Sequence, residues 1–119
     1  MDKIINTMKQ QYLETLYFVE EDLLSEDYDR AEDYNFSQSA QYIAESDCKK
    51  FIELLDDKKL DDHDYSQIAH DFILTRNGHG AGFWDGDYSK NDEKILMEAV
   101  KSFSEVHLYI QHGFLQIEG

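Results

Sequence analysis

Proline is missing from this chain of 119 residues, cysteine occurs once, and only 11 residues are Lys or Arg. No internal repeat and no second composition regime is present either, so nothing divides the chain and one domain is expected. The lone Cys48 excludes an intramolecular disulfide and a cysteine-based zinc site, and fits a reducing compartment. No apolar run approaches the roughly 18 residues that a membrane span needs. The opening Met1-Asp-Lys-Ile-Ile5 is too charged for an export signal, so a cytoplasmic location is expected. The shortage of cations excludes more. With 26 acids the net charge is -15, which disfavours direct binding to nucleic acid and to anionic membranes. Basic surfaces, including the nucleic-acid-binding grooves of other proteins, are the natural partners.

Apolar residues make up 41%, with seven Phe and eight Tyr, enough for a core despite the acidity. Ile5, Met8, Tyr12, Leu16, Val19 and Leu23 recur at helical spacing and predict a helix over about 3–24. Its end carries Glu20, Glu21 and Asp22, the wrong sign for the negative end of a helix dipole. Acidity placed against the dipole has another purpose or is unoptimised. A second helix is expected over about 38–55 with Ser37 as N-cap, and a third from Tyr65 behind Asp64 to a stop at Asn77-Gly78. A fourth covers about 91–103. Val106, Leu108 and Ile110, then Gly113, then Leu115 and Ile117 alternate with period two, a hairpin over about 105–118. The fold class expected is α+β: about four helices with a C-terminal β-hairpin in one small domain, Phe83-Trp84 adding a short strand.

Two regions carry functional expectations. The first is an acidic loop over about 20–35, opposed only by Arg30. Its partner-binding residues are Glu20, Glu21, Glu26, Asp27, Asp29, Glu32 and Asp33, with Tyr28 and Tyr34 as aromatic anchors. Paired acids at such spacing imitate a phosphate track, which offers one charge per roughly 1.7 Å of duplex. The bland reading is a solvated face that serves solubility alone.

The second region is the motif over 75–86, which sets Gly78, Gly80 and Gly82 beside the only tryptophan. Its glycines follow a helix, and neither a Gly-Lys-Ser/Thr end nor G-x-G-x-x-G spacing is present, so a phosphate-binding loop is excluded. An alternative site for a small anionic metabolite, such as a nucleotide signal, would use Arg76, Asn77, His79, Phe83 and Trp84. The competing reading is a tight loop that plugs Phe83 and Trp84 into the core.

No catalytic residue, cofactor or metal is expected. Cys48 lies near an apolar helix face, where a thiol is inert filler, and no Gly-x-Ser-x-Gly elbow occurs. Asp61-Asp-His-Asp64 is dense in donors but lacks a metal-ligand spacing, and the segments from Asp27 and from Asp85 each lose ligands of a calcium loop.

The run His70-Asp-Phe-Ile-Leu-Thr-Arg-Asn-Gly-His-Gly-Ala-Gly-Phe-Trp-Asp85 resembles a motif of small proteins encoded by tailed bacteriophages. Tyr12–Phe18, Asp47–Phe51 and Ser104–Ile110 are similar to that family's flanking segments, in the same order. The chain departs at Ile73, where the family often has Trp, and in a longer acidic insert before Asn35. The resemblance implies a phage accessory protein acting in the bacterial cytoplasm, and it transfers no catalytic residues. Inhibition of a host defence or DNA-processing protein is the leading expectation. A homo-oligomer, pairing through an open hairpin edge, is the reading from a third class.

Overall fold

Of the predicted stripe on the first helix, Ile5, Met8, Tyr12 and Leu16 are in the core, Val19 is half-buried against it, the Leu23 side chain lies outside the described residues, and Leu24 extends the buried face. The computed structural model describes residues 2–27, 33–55, 64–78, 82–84 and 88–119, the side chains of 2, 23 and 25–27 excepted. Helix α1 spans Asp2–Asp27, about a turn beyond the sequence-based end, so the segment from Glu20 to Asp27 is helix rather than loop. Tertiary burial carries the helix through, because Glu20 and Leu24 are both covered.

Helix α2 spans Gln38–Leu55 and buries Ala40, Ala44, Cys48, Phe51 and Leu55. The Ser37 hydroxyl caps it by accepting from the Ala40 N–H at 3.0 Å and itself donates to Gln116 Oε1 at 2.7 Å. Helix α3, Tyr65–Arg76, starts behind the Asp64 carboxylate, which accepts from the Ser66 N–H at 2.9 Å. Helix α4 spans Lys90–Val100, capped by Ser89; the chain turns out of helix before Phe103, earlier than the spacing predicts.

The hairpin is present as β2, His107–Gln111, and β3, Phe114–Glu118. Its two-residue turn has positive φ at both His112 (54°) and Gly113 (79°), the combination that matches strand twist. A further strand, β1 (Asn35–Phe36), pairs in parallel with β3, giving the sheet order β1-β3-β2. Two residues carry no periodicity, so β1 was invisible to pattern reading. Phe83 and Trp84 lie in a turn and form no strand, which corrects that expectation.

Aromatic rings join these elements. Phe51 of α2 stacks on Phe72 of α3 at 4.4 Å, Phe103 meets Phe72 edge-on at 4.9 Å, and Phe83 lies parallel to Phe51 at 6.0 Å. Among the described residues, no helix is long and apolar enough to cross a membrane.

Candidate functional site

Residues of α1 that face away from the core form one outer stripe: Lys3, Thr7, Gln10, Glu14, Phe18 and Asp22 are all exposed. Their spacing of three or four keeps them in line, with neighbouring Cβ atoms roughly 5–6 Å apart. Phe18 is 73% exposed in the middle of this stripe. Glu14 lies one turn before it, and the half-buried Glu21 and exposed Asp22 one turn after. A large apolar ring in water between carboxylates contributes nothing to the core. An apolar ring beside carboxylates is the combination of anchor and steering charge that protein interfaces use. Sequence reasoning passed over Phe18, although the signal was available: it falls between two positions of the apolar stripe.

The predicted partner-binding residues divide. Glu20 does not belong to an exposed set, because it is 6% exposed and accepts the Leu108 N–H at 3.0 Å through Oε1. The same oxygen meets His107 Nδ1 at 3.1 Å, while His107 Nε2 meets Glu105 at 3.2 Å. This carboxylate ties α1 to the outer edge of β2, which explains acidity that opposed the predicted helix dipole. Burial would lower the His107 pKa, but the hydrogen bond and charge of Glu20, then those of Glu105, outweigh it and raise the value above the ordinary one. Glu26 and Asp27 end α1, and their side chains lie outside the described residues, as do Tyr28, Asp29 and Glu32 entirely. Asp33 is exposed, whereas Tyr34 is half-buried and packs against the core.

Of the alternative site's residues, Arg76, Asn77 and Phe83 are held by contacts within the protein. The Arg76 side chain is only 4% exposed and pairs with Asp47 at 2.8 Å. Its Nε donates to the Ser104 carbonyl at 2.8 Å, and its guanidinium carbon sits 5.1 Å from the centroids of both Phe72 and Phe103. The Tyr12 hydroxyl donates to the same Asp47 oxygen at 2.7 Å. Burial, and then the Asp47 charge, push the Tyr12 pKa far above the ordinary phenol range. The chief cation of the motif is therefore spent inside the protein and is not offered to a ligand.

Asn77 is spent as well. Its amide nitrogen donates to the Val106 carbonyl at 2.8 Å and its amide oxygen accepts from the Val106 N–H at 2.9 Å. Phe83 is fully buried, and its N–H donates to the Thr75 hydroxyl at 3.1 Å. The ends of the glycine-rich loop thus clip onto α3 and insert Phe83 beside Phe51. Trp84 is 40% exposed and does not enter the core, contrary to the plug reading of that residue. His79, Gly80 and Ala81 lie outside the described residues, as do His63, Asp61 and Asp62 of the donor-rich segment.

Another buried carboxylate is satisfied rather than reactive. Asp71 accepts from Tyr88 at 2.8 Å and Gln67 at 3.0 Å, and lies 3.1 Å from His70 Nδ1. Cys48 is fully buried, and desolvation followed by the Asp47 charge pushes its thiol up to about 12, so it is no nucleophile at neutral pH. Among the described residues no cluster of three or more His, Cys, Asp or Glu is arranged to hold a metal ion.

Comparison with known proteins adds no relative: no family model, no curated protein and no solved structure matches the chain.

Proposed function

We propose that this chain is an acidic inhibitor, encoded by a phage, that binds a basic nucleic-acid-binding surface of a bacterial protein. The target class is a defence protein, of the kind met by anti-CRISPR or anti-restriction factors, or a DNA-processing protein. The carrying observation is Phe18, 73% exposed on α1 between Glu14, Glu21 and Asp22, in a chain of net charge -15. Carboxylates along the helix take the place of DNA phosphates in the partner's groove, and the ring fills an apolar recess between the partner's cations. The exposed Asp33 adds to the same charge, while Glu20 does not.

The test is capture of partners from a bacterial lysate on the immobilised chain, with elution in rising salt and identification by mass spectrometry. The identified partner is then assayed for DNA binding with the chain as competitor. A nucleic-acid-binding protein that salt releases, and whose DNA binding the chain blocks, is the expected result. Loss of competition on Phe18→Ala, with the fold intact, assigns the face. Competition that survives both Phe18→Ala and the Glu14→Gln/Asp22→Asn pair sinks the proposal.

A further inference from the structure

The charges beside Phe18 on α1 all have one sign. Among the described side chains of the helix, the charged ones within about a turn of the ring are Glu14, Glu21 and Asp22. The cations lie toward the other end, Lys9 about 14 Å and Lys3 about 22 Å along the axis. Glu20 does not count here, because its carboxylate is buried on Leu108 and His107. Phe18, at 73%, is more exposed than any other large hydrophobic residue described.

Glu14 and Asp22 are eight residues apart, about 12 Å along the helix, and Glu21 lies between them. The stripe therefore offers a carboxylate per about 4 Å. Duplex DNA carries a charge per roughly 1.7 Å of axis, and one strand alone a charge per roughly 3.4 Å. The stripe matches one strand and falls well short of a duplex. The ring points the same way. In a duplex the bases are stacked inside, and the outer surface is phosphate and sugar. A groove shaped for that surface has no place for a protruding ring. In a single strand each nucleotide offers both a charge and an accessible ring, and proteins that hold it combine a basic cleft with aromatic platforms.

We infer that the partner's surface is a cleft for single-stranded nucleic acid. Phe18 takes the place of a base on an aromatic platform there, and Glu14, Glu21 and Asp22 take the places of the flanking phosphates. This rests on the acidic-inhibitor reading above and narrows its partner class. Helix α1 is a firm support, since Tyr12, Leu13 and Leu16 are buried in the core behind the stripe. Ring and carboxylates are thus presented in fixed order, without the ordering cost that a flexible strand meets on binding.

The test offers the immobilised chain two pools of bacterial proteins, one eluted from single-stranded DNA-cellulose and one held only by duplex DNA-cellulose. The chain should retain a protein of the first pool, and a single-stranded oligothymidylate should displace it where a duplex of equal length does not. Phe18→Ala should bind that protein, once purified, about tenfold or more weakly. Phe18→Trp should keep the parental affinity, and Phe18→Leu, apolar but without a ring to stack, should be as weak as Phe18→Ala. Phe18 is exposed, so these variants keep the fold, which circular dichroism verifies. Binding confined to the duplex pool, or parental affinity in Phe18→Leu, overturns this inference and leaves the acidic-inhibitor reading standing. Binding to neither pool overturns both.

Discussion

Glu20 Oε1 accepts the backbone N–H of Leu108 at 3.0 Å, joining residues 88 positions apart through one buried carboxylate. Leu108 lies on the outer strand of the sheet, so the bond pairs an edge N–H from β2 with α1. An unpaired buried N–H costs the full desolvation of that group, about 1–3 kcal/mol. Glu20→Ala is therefore expected to lower unfolding stability by about that amount. Glu21→Ala, one residue on and half-buried, should stay within about 0.5 kcal/mol. Urea unfolding of the two variants reads the contrast, and equal effects contradict the assignment.

His107 lies between Glu20 and Glu105, and its pKa is raised in the folded state. A raised folded value means the folded state binds the proton more tightly. The resulting stability is complete below the unfolded pKa of about 6.5 and is lost as pH rises through the folded value. His107→Gln should flatten this fall in stability above about pH 6.5, measured as the difference between denaturation midpoints across the range.

Arg76→Ala leaves the Asp47 carboxylate and the Tyr12 hydroxyl without their cation beneath Phe72 and Phe103. Breaking one side of a buried pair costs about 3–5 kcal/mol, and partial solvent access to Asp47 places the loss near the lower end. A variant as stable as the parent in guanidinium unfolding would return Arg76 to the list of ligand-binding candidates.

Gly82 has φ of 155°, and a Cβ there would run into the Thr75 hydroxyl and lie 2.9 Å from the Trp84 ring. Gly82→Ala should displace the Thr75–Phe83 hydrogen bond and loosen Phe83 from its place beside Phe51. Near-ultraviolet circular dichroism and a lowered melting temperature detect this. Gly78→Ala meets no neighbour, and its cost comes only from its φ of 68°, about 1 kcal/mol.

Cys48 is fully buried with its thiol pushed up to about 12. Alkylation at pH 8 should proceed only after denaturant is added. Rapid labelling of the native protein would mean that α2 opens locally.

Helix positions were legible because periodicity is a local property. The bounds of α2 at Gln38 and Leu55, the Asp64 cap and the alternation around Gly113 all follow from neighbours within a turn or a strand. The extension of α1 to Asp27 was not legible, because propensity and dipole argue against acids there, and burial of Glu20 and Leu24 overrides both. Composition marked Glu20 as surface; a backbone N–H from a distant strand made it core. Arg76 carried the same ambiguity. A lone Arg beside glycines and aromatics reads equally as a ligand clamp or as a buried brace, and only Asp47, Tyr12 and Ser104 decide for the brace.

The amino-acid sequence by itself determined four helices, a C-terminal hairpin, a chain of net charge -15, and a cysteine placed near an apolar helix face. These rest on local spacing and on counts, which need no third dimension. The tertiary structure alone decided which charges are spent and which remain outside. Burial and pairing are long-range relations: Glu20 with Leu108, Arg76 with Asp47 and Asn77 with Val106 each bridge distant segments. The same closure leaves Phe18 standing in solvent between Glu14 and Asp22, which no count of residues distinguishes from a phenylalanine in the core.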